Sequence, residues 1–279
     1  MIAKASFWHT RLTVVYSFLL LFLFTTLGSY AQEGAYDLRA GREIPLLATG
    51  AAGVTASILL RNKREPLSLE DVGKLNISDI LAIDQGDHNY SESAAATSDV
   101  LVLSSFAAPL AVLAFDDARS DAGTLGLILL ETVMLNEALT GITKALVSRP
   151  RPYTYNQQAP EAVRTSRENT FSFFSGHTSH SAAVSFFTAK TISDYVDRPG
   201  VEAATWAGAI LLPAATGFFR YKAGKHFPSD VVVGYLVGAS VGFLVPHIHE
   251  AHRSEDATGS ANSGRLPLVQ EIFRVTMVF

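Results

Sequence analysis

Arg220-Tyr-Lys-Ala-Gly-Lys-His226-Phe-Pro-Ser-Asp230 lies between two long apolar segments and packs three cations, a histidine and an aspartate into one short connection. Pro228 suits the first position of a helix, where its missing N–H costs nothing. That leaves His226 in the loop ahead of the helix and Asp230 in its first turn. An aspartate there can reach back and accept a hydrogen bond from one imidazole nitrogen. The other nitrogen then carries a lone pair aimed outward, as a nucleophile or general base requires. Arg220 suits a phosphate, because its fork of donors meets oxygens two at a time. A His and an Asp four residues apart also arise by chance, so the reading needs support elsewhere in the chain.

Two other stretches supply it. Lys144-Ala-Leu-Val-Ser-Arg-Pro-Arg151-Pro152 ends a long apolar helix, which the two prolines stop. Lys144 sits about two turns before Arg151, so both cations can converge on one anion. They equally suit a helix C-terminus or the cytoplasmic flank of a membrane span. Phe171-Ser-Phe-Phe-Ser175-Gly176-His177-Thr-Ser-His180 opens another apolar helix. Ser175 is a natural N-cap, Gly176 lets a ligand approach the backbone, and the free N–H groups of the first turn favour an anion. His177 can then give a proton to a leaving oxygen. An ordinary capped helix with a surface histidine would read the same way.

Together the three stretches resemble the signature motifs of the type 2 phosphatidic acid phosphatase superfamily, which also contains bacterial acid phosphatases and vanadium haloperoxidases. Lys144–Pro152 is similar to KxxxxxxRP, Ser175–His177 to the SGH of PSGH, and Arg220–Asp230 to RxxxxxHxxxD. Phe174 and Phe219 stand where that pattern usually has Pro and Ser. Neither position carries a charge or a proton, so altered pocket walls are expected there. The resemblance covers roughly residues 100–248. It implies that His226 attacks phosphorus, Asp230 fixes its tautomer, and His177 protonates the leaving alkoxide. It also implies that Lys144, Arg151, Arg220, the Ser175 hydroxyl and the Gly176 amide hold the phosphoryl oxygens. No metal and no cofactor are implied. Phosphoryl transfer asks mainly for in-line positioning and charge stabilisation at three equatorial oxygens, which three cations and two histidines can supply. One histidine neutral and the other protonated would give a bell-shaped pH profile.

Composition agrees with a membrane setting. Of 279 residues 48% are hydrophobic and only 17% charged, below the roughly 25% of soluble domains. Mean hydropathy is +0.22. A net charge of -4 gives no reason to expect nucleic-acid binding, and the absence of cysteine excludes disulfides and thiolate metal sites. Residues 1–31 read as a signal peptide: Lys4 and Arg11, an apolar run from Leu12 to Leu27, and Ser29-Tyr-Ala31 before the cut. An uncleaved anchor is the alternative.

Residues 32–99 read as an N-terminal helix, Ile44 to Leu60, marginal for a span, followed by a polar connection. Asp84, Asp87 and His88 lie close together in that connection and are read as a solvated loop rather than a cation site. Residues 100–248 form the core, with helices over Val100–Phe115, Gly123–Val147, Ser175–Tyr195, Ala203–Phe219 and Ser229–Val245. Glu131, Asn136 and Glu137 interrupt the second of these and must face protein or water. They would buttress the active-site cations or join packed helices. The polar loop 153–170 is a candidate for head-group selection. Residues 249–279 read as a flexible tail, ending in a short alternating stretch. His249-Glu-Ala-His252 is one residue too short for HExxH, so no zinc site is expected from it.

The expected fold is an all-α bundle of about six core helices, membrane-embedded behind the signal peptide. A soluble periplasmic bundle is the alternative. The expected activity is a metal-independent phosphatase acting on a lipid phosphomonoester or a polyprenyl diphosphate through phosphohistidine. An unspecific acid phosphatase and a vanadate-dependent haloperoxidase are the rivals. The expected partners are a phosphorylated lipid and the membrane. The expected location is a bacterial-type inner membrane with the site facing the periplasm. That orientation requires residues 44–60 not to span; if they do, the motif loops fall on the cytoplasmic side.

Overall fold

Ser175 and Pro228 behave as their residue types demand: each starts a helix, and everything the motifs position hangs from those two starts. The computed structural model describes residues 34–251 except Asp87. Among these residues there is no strand, only an isolated antiparallel bridge between Tyr36 and Glu250. Six long helices carry the fold: α1 (Ala40–Asn62), α2 (Glu92–Ala107), α3 (Ala122–Val147), α4 (Gly176–Tyr195), α5 (Pro199–Lys222) and α6 (Pro228–His247). Three short helical turns lie between them, Leu69–Gly73, Asp116–Ser120 and Glu161–Arg164. The expected signal peptide and the alternating C-terminal stretch lie outside the described residues, as does His252.

Two helices differ from the sequence expectation. α1 is longer than the apolar run suggested and includes Pro45 as its sixth residue, where the missing N–H leaves the Gly41 carbonyl without its helical donor. α2 starts at Glu92, capped by Ser91, so the boundary expected at residue 99/100 falls inside a helix. It continues to Ala114 as a 3-10 segment.

Five stretches are long and apolar enough to cross a membrane: Ala40–Asn62, Glu92–Ala114, Ala122–Tyr155, Pro199–Lys222 and Pro228–His247. Large apolar side chains such as Leu59, Leu103, Leu211 and Leu236 point outward from them. Those faces suit hydrocarbon, and the protein is read as a membrane-embedded bundle. α4 is the exception. It carries Ser, Thr, His and Lys along most of its length and is buried among α2, α3, α5 and α6. Several of its hydroxyls are satisfied within the bundle: Thr188 and Thr191 donate to the carbonyls of Val184 and Phe187 at 2.7 and 2.9 Å, and Ser179 donates to Asn136 Oδ1 at 2.6 Å, whereas Ser185 Oγ is buried without a partner.

The contact between α4 and α6 is backbone on backbone. Gly234, Gly238 and Gly242 recur every fourth residue on one face of α6. A Cβ at Gly238 would lie 2.0 Å from the carbonyl oxygen of Ser179, and one at Gly242 2.1 Å from that of Ala183. Only glycine permits this approach, the small-residue packing by which helices associate in lipid. It brings the starts of α4 and α6 side by side, where Ser175 N donates to the Asp230 carbonyl at 3.0 Å.

Successive helices run in opposite directions, so the bundle has two distinct ends. At one end lie the C-termini of α1, α3 and α5 with the N-termini of α2, α4 and α6. Arg64 Nε there reaches the Ala145 carbonyl at 2.9 Å, and Arg220 reaches Ser98 Oγ at 3.3 Å. At the other end the first and last described residues meet: Asp37 N donates to His249 O and Ala251 N to Ala35 O, both at 2.9 Å.

Candidate active site

The three motif stretches converge at the first of these ends. Gly176 opens α4 hard against α3: a Cβ there would meet Thr140 Cγ2 at 3.1 Å and Lys144 Cε at 3.6 Å. Ser175 caps the helix and is fully buried, its hydroxyl 2.8 Å from Thr178 Oγ1. Lys144 rides on the last turn of α3, and its ammonium donates to the carbonyls of Phe171 (2.8 Å) and Ser172 (3.3 Å). Ser148, in the left-handed region at φ 47°, ends α3 and turns the chain into Arg149–Pro152.

Arg151 is buried, with Nε donating to the Glu168 carbonyl at 2.7 Å and Nη2 lying 3.2 Å from the Glu168 carboxylate. Arg220 ends α5, its Nη1 within 3.5 Å of Asp99. His226 is 1% exposed, enclosed at the start of α6. Burial first, then the positive charges of Lys144, Arg151 and Arg220 and the neighbouring His177, holds its pKa well below the ordinary imidazole value, while burial and Arg220 lower that of His177 itself to about 3, so that a bound phosphate must raise it before His177 can act as an acid. Four groups drawn from α3, the loop after it, α4 and α5 thus act on one ring, so the candidate residues share one pocket. The ring is kept neutral at neutral pH.

Asp230 is fully buried but is not closed onto His226: the separation from His226 Nδ1 to Oδ2 is 3.7 Å, beyond a hydrogen bond. Its oxygens serve other donors. Oδ1 accepts from Arg149 at 2.6 Å, and Oδ2 accepts from Ser172 Oγ at 2.5 Å and from Phe227 N at 2.9 Å. His177 stands at the mouth, partly exposed, with Nε2 2.9 Å from Asp99 Oδ1.

Several side chains of this pocket escaped the sequence reading. Asp99, on α2, touches both His177 and Arg220. Arg149 links Asp230 to Asp84 (2.7 Å) and stacks its guanidinium 4.1 Å above the Phe227 ring. Asp84 also accepts from the backbone and hydroxyl of Ser229, at 3.0 and 2.6 Å. It is therefore an anchor for the start of α6 rather than part of a solvated loop. No spacing rule connects Asp84 or Asp99 to the motifs; only packing does.

Lys225 is a further cation. Burial, then Arg151 and Arg220, lowers its pKa to about 7, and its ammonium sits 5.1 Å from the Tyr153 ring. Of the polar residues inside α3, Glu137 meets His180 at 3.2 Å, and His180 Nδ1 meets the Gly176 carbonyl at 2.8 Å, so this pair supports the α4 start. Asn136 joins α3 to α4, and Glu131 faces the opposite end of the bundle. Phe174 is buried beside Phe173, whereas Phe219 is half-buried against Phe218.

Lys144, Arg151 and Arg220 thus gather around the buried imidazole of His226, with the less buried imidazole of His177 beside them, a set of groups whose chemistry suits an anion. Residues 125–254 match the model of the PAP2 superfamily. No curated protein matches the chain. Among solved structures it is similar to the first transmembrane PAP2 type phosphatidylglycerolphosphate phosphatase from Bacillus subtilis. The identity is 18%, over 85% of this chain and 94% of that one, with a TM-score of 0.38.

Proposed function

We propose that this chain, whose residues 125–254 match the PAP2 superfamily, is a phosphoric ester hydrolase that removes phosphate from a membrane lipid through a phosphohistidine on His226. The observation that supports this best is the enclosure of a neutral His226 by Lys144, Arg151, Arg220 and His177. A neutral imidazole has the free lone pair that attack on phosphorus needs, and the surrounding cations match the charge on the three equatorial oxygens.

In the first step a nitrogen of His226 bonds to phosphorus as the bond from phosphorus to the lipid oxygen breaks. His177 gives its proton to that oxygen, and Asp99 holds the ring of His177 toward the mouth. In the second step water attacks phosphorus, His177 takes back a proton, and the His226–phosphorus bond breaks to release inorganic phosphate. Asp230, held by Arg149, Ser172 and the Phe227 amide, places a fixed negative charge near His226 while the ring carries positive charge. No step calls on a metal ion.

The apolar outward faces of five helices favour a lipid phosphate over a soluble one, because the pocket then opens at head-group level. Phosphate release by detergent-purified protein in EDTA tests this. The panel is phosphatidic acid, phosphatidylglycerol phosphate, undecaprenyl diphosphate and an aryl phosphate. Lipid turnover that disappears in His226→Ala is the expected result. Turnover of aryl phosphate alone would select an unspecific acid phosphatase, and turnover undiminished in the variant would overturn the nucleophile.

Sidedness turns on α1. If a cleaved signal peptide leaves the start of α1 outside, a periplasmic site needs α1 not to cross, whereas its 23 residues suffice to cross and Arg61, Lys63 and Arg64 lie at or beyond its end on the pocket side. The positive-inside rule then favours a cytoplasmic pocket in a bacterial-type inner membrane. The chain has no cysteine, so a single cysteine at Gln158 on intact cells reads the answer cleanly. Protection from a membrane-impermeant maleimide is expected, and full labelling would restore the periplasmic face.

A further inference from the structure

Three side chains from distant parts of the chain meet inside the end of the bundle opposite the cationic pocket: Glu43 on α1, Glu131 on α3 and His249 just beyond α6. All are buried, Glu131 and His249 completely. Along α3, Glu131 lies about 20 Å from Lys144, so this is a separate place.

The chemistry of the three groups fits a cation. His249 Nδ1 faces the Val245 carbonyl at 2.7 Å. That contact puts the hydrogen on Nδ1 and turns the lone pair of Nε2 inward, the second-shell device that sets the tautomer of a metal-binding histidine. Nε2 lies 3.0 Å from Glu131 Oε2 and 3.3 Å from Glu43 Oε2. Two ligands bonded at about 2.1 Å with angles of 90–110° stand about 3.0–3.4 Å apart, so the spacing is that of ligands around one ion. A protonated ring paired with Glu131 is the competing state at these distances, and the metal count below separates the two.

Glu131 adds a second observation: both of its oxygens are buried, and its one charged neighbour is the His249 ring, with no aligned hydrogen bond to either oxygen. A buried carboxylate in that state calls for a positive partner. Glu43 is already oriented, with Oε1 accepting from Arg39 N at 2.6 Å and Arg42 Nη2 at 2.9 Å, and Oε2 from Arg42 Nε at 3.1 Å. Arg42 also holds Asp37 and the Ile248 carbonyl, so its charge is shared among several acceptors.

We propose that Glu43, Glu131 and His249 form a structural site for a divalent transition-metal ion, Zn2+ or Mn2+ by ligand type, which fastens the chain segments flanking the bundle to α3. One imidazole with two carboxylates suits these ions, and the set recruits residues from α1, α3 and the segment after α6. The ion takes no part in the reaction at His226.

The test uses the full chain in detergent, stripped with EDTA and dialysed against micromolar Zn2+ or Mn2+, with bound metal counted by mass spectrometry. Wild type and His226→Ala are expected to retain about one ion per chain, and Glu131→Gln and His249→Gln to lose it. Metal should raise the melting temperature of stripped wild type and leave that of Glu131→Gln unmoved. No metal bound by wild type above the detergent blank overturns the proposal, and that result stands even if the variants fail to fold. Equal binding in Glu131→Gln overturns it as well. Phosphate release at 25 °C in EDTA is expected to continue, which separates failure of this site from failure of the His226 chemistry.

Discussion

The two ends of the bundle place buried charge in opposite senses. At one end Lys144, Arg151 and Arg220 crowd around a neutral histidine, and they donate to backbone carbonyls and the Ser98 hydroxyl or pair with shared carboxylates. At the other, Glu43 and Glu131 crowd around His249, and Asp194 and Glu250 share Lys190. On the readings proposed above, one end receives an anion and the other holds a metal ion. The same helices serve both because α3 carries its cation in its last turns and its carboxylate more than three turns earlier. In a low-dielectric bundle neither excess can be left to water, so each end implies what must arrive there.

The comparison breaks most decisively at His226. His226→Ala should lower phosphate release by at least about 10^3-fold, since loss of a nucleophile removes the covalent route. The melting transition should still respond to metal, because the opposite end is untouched. Next in size, Arg151→Gln should cost about 10^2–10^3-fold in kcat, the scale of a lost transition-state donor. A loss confined to KM would show that Arg151 binds the ground state only.

The seam between α4 and α6 should fail at both ends together. Gly238→Leu forces a side chain onto the Ser179 carbonyl and should destabilise by about 1–3 kcal/mol or more. Gly208→Ala, with open space around it, should gain up to about 1 kcal/mol of helix propensity. Thermal melting of the pair checks this, and equal effects would refute the seam.

Smallest is the effect of Lys225. Its pKa near 7 means that the group is charged below that pH and neutral above it. Inhibition by tungstate, whose charge does not change between pH 6.5 and 8.5, should weaken severalfold as pH rises through about 7. It should stay flat in Lys225→Met. A slope of the same size in the variant would assign the titration elsewhere.

What could be read from the sequence follows from distance along the chain. Lys144–Pro152, Ser175–His177 and Arg220–Asp230 are local, so helix starts and stops place them almost without tertiary knowledge. The start of α6 at Pro228 and the cap at Ser175 emerged where residue chemistry put them. Asp99 and Asp84 could not be read this way, since α2 and the 3-10 turn at Ala82–Asp84 meet the pocket only through packing. Glu43, Glu131 and His249 are farther apart still: the carboxylates beside His249 come from other helices, not from its neighbours in His249-Glu-Ala-His252. The Gly234, Gly238, Gly242 repeat, a four-residue period of small residues inside an apolar run, went unread in the sequence although its spacing stands there, and only the packing gave it a meaning.

The burial of α4 bears on how the chain is built in the cell. Its string of hydroxyls, two histidines and a lysine makes it a poor guest for bare lipid, and its natural lining, the glycine face of α6, is synthesised last. During synthesis α4 must therefore wait in the translocation machinery or beside it until α5 and α6 emerge. A ribosome stalled before Pro228 would release a chain whose central helix has no place to go, a ready substrate for membrane quality-control proteases.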